Sequence, residues 1–248
     1  CEPGSIRFNT DTANLEYFRG NTLGWSQFEL INPNLGGGTG SNTGLGTRAL
    51  FGGGGVMPAF VNTISFLTIS TLGNSQDFGD MTYKGQFPTN GHVSSRSRGI
   101  FAGGYTPVGR KNHIDFITIS STGNAADFGD LTVNRETAAG GSNGTRGLFA
   151  GGFTNPNYQN VIDYVTIAST GDAVDFGDIS EGRGGSAVCN STRMVMKLSG
   201  TTKLEFITMS TTGNSTDFGT YTSTTGSASG DSSTRGIFAG NQNGNIIE

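Results

Sequence analysis

The side chains of this chain that could do chemistry are few, and their spacing decides what kind of chemistry is open to them. The tetrapeptide DFGD occurs at 77–80, 127–130 and 175–178, with a variant, DFGT, at 217–220. A DFG loop can hold magnesium beside a nucleotide, but that chemistry also needs a lysine-bearing strand and a catalytic loop, and neither is present. Recurrence at regular spacing reads instead as architecture. Glycoside hydrolysis needs two carboxylates set across a bond, and no such pair stands outside the DFGD positions. His92 and His113 are the only histidines, so general acid–base work has few candidates, and no Tyr/His/Cys cluster suited to copper is found. Gly52 to Gly55 form a GGGG run with no Lys-Ser/Thr and no helix after it, which excludes a phosphate loop. Asn9-Thr10-Asp11-Thr12 offers oxygen ligands for calcium but is read as a tight turn that uses Asn and Asp for side-chain-to-backbone bonds. The expectation is a protein that is not an enzyme, with no catalytic residues, no metal and no cofactor.

Composition narrows the partners. The 248 residues carry 15 Lys and Arg against 19 Asp and Glu, for a net charge of −4, without a basic cluster. Phosphate neutralisation needs such a cluster, so nucleic acid is not an expected partner. No apolar run approaches the roughly 20 residues of a membrane helix. Charged residues make up only 14% of the chain, so Gly, Ser, Thr and Asn must occupy most surface positions. Cys1 and Cys189 allow at most one disulfide; Cys189 aligns with Ser142 and is read as a buried thiol on a crowded strand.

The elements that carry these residues repeat. TRGLFAGG at 145–152 has counterparts led by Arg48, Arg98, Arg193 and Arg235, at spacings of 50, 48, 47 and 42 residues. Periods of this size mark propeller blades or helical arrays. The apolar runs are short and rich in Ile, Val, Phe and Thr, as strands are, so helical arrays drop out. Ile64, Ile114, Ile162 and Leu204 precede Phe66, Phe116, Tyr164 and Phe206 by two residues, on one strand face. Leu67, Ile117, Val165 and Ile207 make the other face apolar as well, which predicts a sheet covered on both sides. Phe78, Phe128, Phe176 and Phe218 follow across a Gly-Asn or Gly-Asp turn. One full unit reads as four strands, near 137–143, 146–152, 161–168 and 173–179. The fold expected is all-β, a propeller of four-stranded blades with about five visible. The acids Asp77, Asp127, Asp175 and Asp217 recur in step with Arg48, Arg98, Arg146 and Arg193, which points to a repeated pairing or to ordinary solvated charges.

The strand order resembles the kelch repeat: a strand of small residues, an apolar strand ending in Gly-Gly, an aromatic strand, a turn, and a second aromatic strand. Phe176 stands where kelch repeats usually have Trp, and Arg135 and Arg183 stand where they carry an arginine, although Gly85 and Thr225 replace it elsewhere. Residues 1–30 form a separate three-stranded module or degenerate blade around Ile6–Phe8, Leu15–Phe18 and Trp25–Phe28, and residues 31–248 carry the blades. Within 31–46, Gly38 to Thr43 is read as a first strand rather than a linker. The PGSIRFNTDT module and the DFGDLT-type repeats both resemble bacteriophage virion and tail-fibre proteins, particularly of marine phages. The chain lacks an initial Met and stops at Asn245-Ile246-Ile247-Glu248, which aligns with mid-strand Asn160-Val161-Ile162-Asp163, so it is expected to be a piece of a longer protein with an incomplete last repeat.

The resemblance implies a virion structural protein, of tail-fibre or decoration type, used for host attachment or assembly. Its expected partners are other virion proteins and a host surface glycan or protein, with homo-oligomerisation open. The alternatives are an enzyme acting on envelope polysaccharide and a bacterial surface interaction protein. Function should lie where repeats differ. The turns on one side stay near SNGT and STGN, whereas the connections after the second strands vary. They place Phe60, Tyr105, Arg110, Lys111, Phe153 and Tyr158 on one face, the expected contact surface.

Overall fold

A computed structural model describes residues 2–9, 14–22, 24–27, 48–56, 59–86, 88, 90–91, 93–222, 224, 228–232, 234–241 and 244–247. The expected strand at 38–43, His92, Cys1 and the tip of the 9–12 turn lie outside these residues. Every regular element described is a strand, so the protein is all-β. Among the described residues no helix is long and apolar enough to cross a membrane. The chain divides into two compact units, Cys1–Pro33 and Asn34–Glu248.

The smaller unit is an antiparallel sheet of Ile6–Asn9, Asn14–Phe18 and Trp25–Gln27. Arg7 lies over the Trp25 ring at 4.2 Å and pairs with Glu16 at 2.8 Å.

In the larger unit each repeat is an antiparallel sheet. The third repeat has Ala139–Ser142, Arg146–Ala150, Val161–Thr166 and Val174–Asp178 in sequence order, extended by a short parallel pairing of Ala139–Ser142 with Asn90–Gly91. The fourth repeat has Gly185–Cys189, Arg193–Leu198, Lys203–Thr208 and Thr216–Thr220. The first shows its last three strands, Arg48–Val56, Ala59–Thr68 and Gln76–Asp80, and the fifth shows Ala228–Asp231, Gly236–Asn241 and Gly244–Ile247. First strands of successive repeats adjoin: the Ser142 hydroxyl donates to Ser94 O at 2.8 Å, and the Ser229 hydroxyl to Ala187 O at 2.8 Å.

The apolar core lies in the seams between repeats, as two-faced strands require. One seam joins Phe128 and Leu131 of the second repeat to Phe149, Val165 and Ile167 of the third; the next joins Phe176 and Ile179 to Met196, Ile207 and Met209. The aromatics of third and fourth strands meet edge to face, as Tyr164 does Phe176 at 5.9 Å. Phe66 is buried, whereas Phe116, Tyr164 and Phe206 are only half-buried; the repeat arginine lies over one face of each of the four rings.

The seams also explain DFGD. Third and fourth strands slip register at the DFGD glycine, for example between Ile114 and Asp115 opposite Gly129 and Asp127. Gly129 adopts φ +144° there and lies against the turn of the next repeat, whose Gly171 N–H donates to Phe128 O at 2.7 Å. The same bond joins Gly123 to Phe78 at 2.8 Å and Gly213 to Phe176 at 2.7 Å. The first acid turns inward locally: Asp127 Oδ1 accepts from Gly129 N at 3.1 Å.

The repeated Arg–Asp pairing does not form. Arg48, Arg98 and Arg146 instead donate from Nη1 to the carbonyls of Ile119, Ile167 and Met209 in the following repeat, at 2.8, 3.0 and 3.0 Å. Each stacks on its own repeat's aromatic, Arg146 lying 4.8 Å from Tyr164. A planar cation gains both a ring face and a carbonyl in this place, whereas the DFGD acid is held by its own glycine amide. Arg193 keeps the ring contact, with Phe206 at 4.8 Å, and has no following carbonyl among the described residues. Arg146→Ala is therefore expected to cost about 1–2 kcal/mol and Arg193→Ala less than about 1 kcal/mol, read by urea denaturation. Equal losses would remove the carbonyl bond as the cause.

Cys189 is a buried free thiol. Burial, with Asp231 adding to it and a backbone hydrogen bond at Ser142 opposing, raises its pKa from 9.0 to about 12. The unfolded thiol loses its proton first as pH rises, so this contribution is complete below the unfolded value and disappears toward the folded one. Between about pH 9 and pH 12 the wild type should lose up to about 1.4 kcal/mol per pH unit relative to Cys189→Ala, measured by denaturation at matched pH.

Candidate binding face

Two repeats carry a small ribbon between their second and third strands. In the second repeat Tyr105–Thr106 pairs with Gly109–Arg110, and in the third Phe153–Thr154 pairs with Asn157–Tyr158. Thr106 closes its turn, accepting from Val108 N at 3.3 Å and donating to Gly109 O at 2.7 Å. The first repeat reaches the same place by prolonging its hairpin, pairing Gly55 with Phe60. The fourth has only a turn at 199–202.

The structure draws five of the six expected residues into a row across three repeats. The Phe60 ring meets Tyr105 at 5.9 Å and 73°. Arg110 lies between Tyr105, at 5.1 Å, and Phe153, at 4.5 Å. Phe153 meets Tyr158 at 4.9 Å and 52°. Burial runs along the row: Phe60 is 7% exposed and Tyr158 49%. Lys111 is half-buried, its backbone N–H bonded to Gly104 O at 3.0 Å, and it has no ring contact or ion pair among the described residues.

Glu136 is the residue that sequence reasoning missed. Its carboxylate accepts from Arg110 Nε at 3.0 Å and Nη2 at 2.6 Å, while its backbone exchanges two hydrogen bonds with Phe153. Glu136 therefore ties the ribbon of one repeat to that of the next. Gln86 plays the same backbone part for Tyr105 but carries no charge, so the repeat pattern gave no signal for the acid.

A second missed set lies at mid-strand. Asp115, Asp163 and Glu205, each between two apolar residues, are buried. Each accepts the backbone N–H and hydroxyl of a residue in the preceding repeat: Thr82 at 2.9 and 2.7 Å, Thr132 at 3.1 and 2.6 Å, and Ser180, whose N–H lies at 3.1 Å. Asp163 also pairs with Arg135 at 2.7 Å, both fully buried, and Asp115 with His113 at 3.1 Å. Burial lowers the Arg135 pKa, opposed by Asp163; burial and then Asp115 raise that of Tyr83. These carboxylates are structural caps. Among the described residues no three His, Cys, Asp or Glu stand as metal ligands would.

No family model and no curated protein matches this chain. One further concavity is a cleft between the fourth and fifth repeats, lined by Val188, Arg193, Val195, Phe218 and Arg235 among others. Phe78, Phe128 and Phe176 are 3% exposed beneath a following turn, and Phe218 is 51% exposed.

Proposed function

We propose that residues 34–248 are kelch-like propeller blades of a bacteriophage virion protein, of tail-fibre or decoration type, and that the ribbon side is its contact face. Support for blades comes from the recurring seam bonds and from first strands that adjoin across repeats. Support for the phage assignment is the resemblance of the PGSIRFNTDT module and the DFGDLT-type repeats.

The observation that carries the contact face is the row from Phe60 to Tyr158. Elsewhere the repeats keep the same turns, but here they differ in length and sequence, and the differing parts interlock. Packed rings and an ion pair in which Arg110 Nε and Nη2 both donate to Glu136 Oε1 fix the ribbons before a partner arrives, which lowers the ordering cost of binding. Among the described residues the face offers rings and amides, groups suited to recognition.

An antibody to the chain should label purified virions, and soluble protein should adsorb to the bacteria they infect. Tyr105→Ala/Tyr158→Ala should weaken adsorption by about tenfold or more. Absence from the particle would remove the virion assignment, and undiminished adsorption of the double variant would remove the face.

A further inference from the structure

We propose that the ribbon face binds an uncharged sugar, with the Tyr158 ring as its platform; this rests on that face being the contact surface. By residue type, Arg110 and Lys111 suit acidic ligands. The geometry removes the first from that role. The Arg110 guanidinium gives Nε and Nη2 to Glu136 and lies between two rings, with its side chain 19% exposed. An arriving carboxylate would compete with one whose Oε1 already takes both Nε and Nη2 and would meet the charge of Glu136 beside it. The ion pair is a neutral girder.

Besides the half-buried Lys111, what remains open is apolar and amide. Tyr158 is half-exposed and is backed in turn by Phe153 and Arg110. Asn155 and Asn157, exposed on the same ribbon, give no side-chain hydrogen bond to any described residue. A pyranose presents an apolar C–H face suited to a ring, rimmed by hydroxyls that both donate and accept. An exposed tyrosine beside free carboxamides supplies the matching surface. Neither group carries a charge, so attraction through this face should depend little on salt.

The test is titration calorimetry of the 248-residue protein with dextran, mannan and galactan as neutral probes and polygalacturonate as the acidic one. At least one neutral polymer should bind, with affinity changing less than about twofold between about 0.05 and 0.5 M NaCl. Tyr158→Ala should weaken it about tenfold or more, and Lys111→Gln less than about twofold. Binding of polygalacturonate alone, strong salt dependence, dependence on Lys111, or no binding to any neutral polymer would overturn the inference. Tyr158-dependent adsorption to cells without neutral glycan binding would leave the contact face standing and point to a protein partner. Loss of both would end both readings.

Discussion

Gly129→Ala is expected to lower stability by about 3–5 kcal/mol, the sum of a left-handed backbone forced on a residue with a Cβ and the displacement of a neighbouring repeat. At φ +144° the new Cβ would stand 2.5 Å from the carbonyl carbon and oxygen of Gly171 and 2.8 Å from Asp172 N. All three are backbone atoms of the turn that covers Phe128, so no side chain can swing aside. Gly219 supplies the control. It occupies the same place in the fourth repeat at φ +143°, and a Cβ added there would meet no described atom within 4 Å. Gly219→Ala should cost only the conformational part, about 1–2 kcal/mol. Urea denaturation of the two variants separates local strain from seam contact, and equal losses would show that the seam bears none of it.

Arg135→Met should cost about 3–5 kcal/mol, because it leaves the Asp163 carboxylate buried without its cation. Asp163 would keep the two bonds from Thr132, which satisfy its oxygens without cancelling its charge. Adding Asp163→Asn should recover part of the loss by removing that charge. Arg183→Met is the comparison at the equivalent position. Arg183 is a third exposed and reaches Glu181 at 3.5 Å, so its loss should stay within about 1 kcal/mol. A small effect of Arg135→Met would mean that water reaches the pair.

Residues of one repeat show how much was legible in the sequence. Val161, Ile162, Tyr164, Val165 and Ile167 form a short run of β-branched and aromatic residues, which marks a strand apolar on both faces, and Gly171 marks the turn after it. Local rules of this kind act within a few residues, so the all-β class, the repeat and the strand order could be read directly. The position of the varied connections was legible in the same way, since Tyr105-Thr106-Pro107 and Phe153-Thr154-Asn155 break an otherwise constant phrase.

What those residues meet could not be read. Arg146 and Asp175 recur in step, yet their partners are a carbonyl 63 positions away and a glycine amide two positions away. Asp163 stands between core residues in the sequence without showing that Thr132 and Arg135 wait for it. Arg110 reads as a free cation until Glu136, 26 residues on, takes it. Strands, their order and the recurring turns follow from the residues alone, because backbone preference and side-chain alternation are local. Apart from the DFGD acids, which charges are spent and which rings remain exposed follows from tertiary contact, much of it between one repeat and the next, and that contact joins residues too far apart in the chain for any local rule to connect.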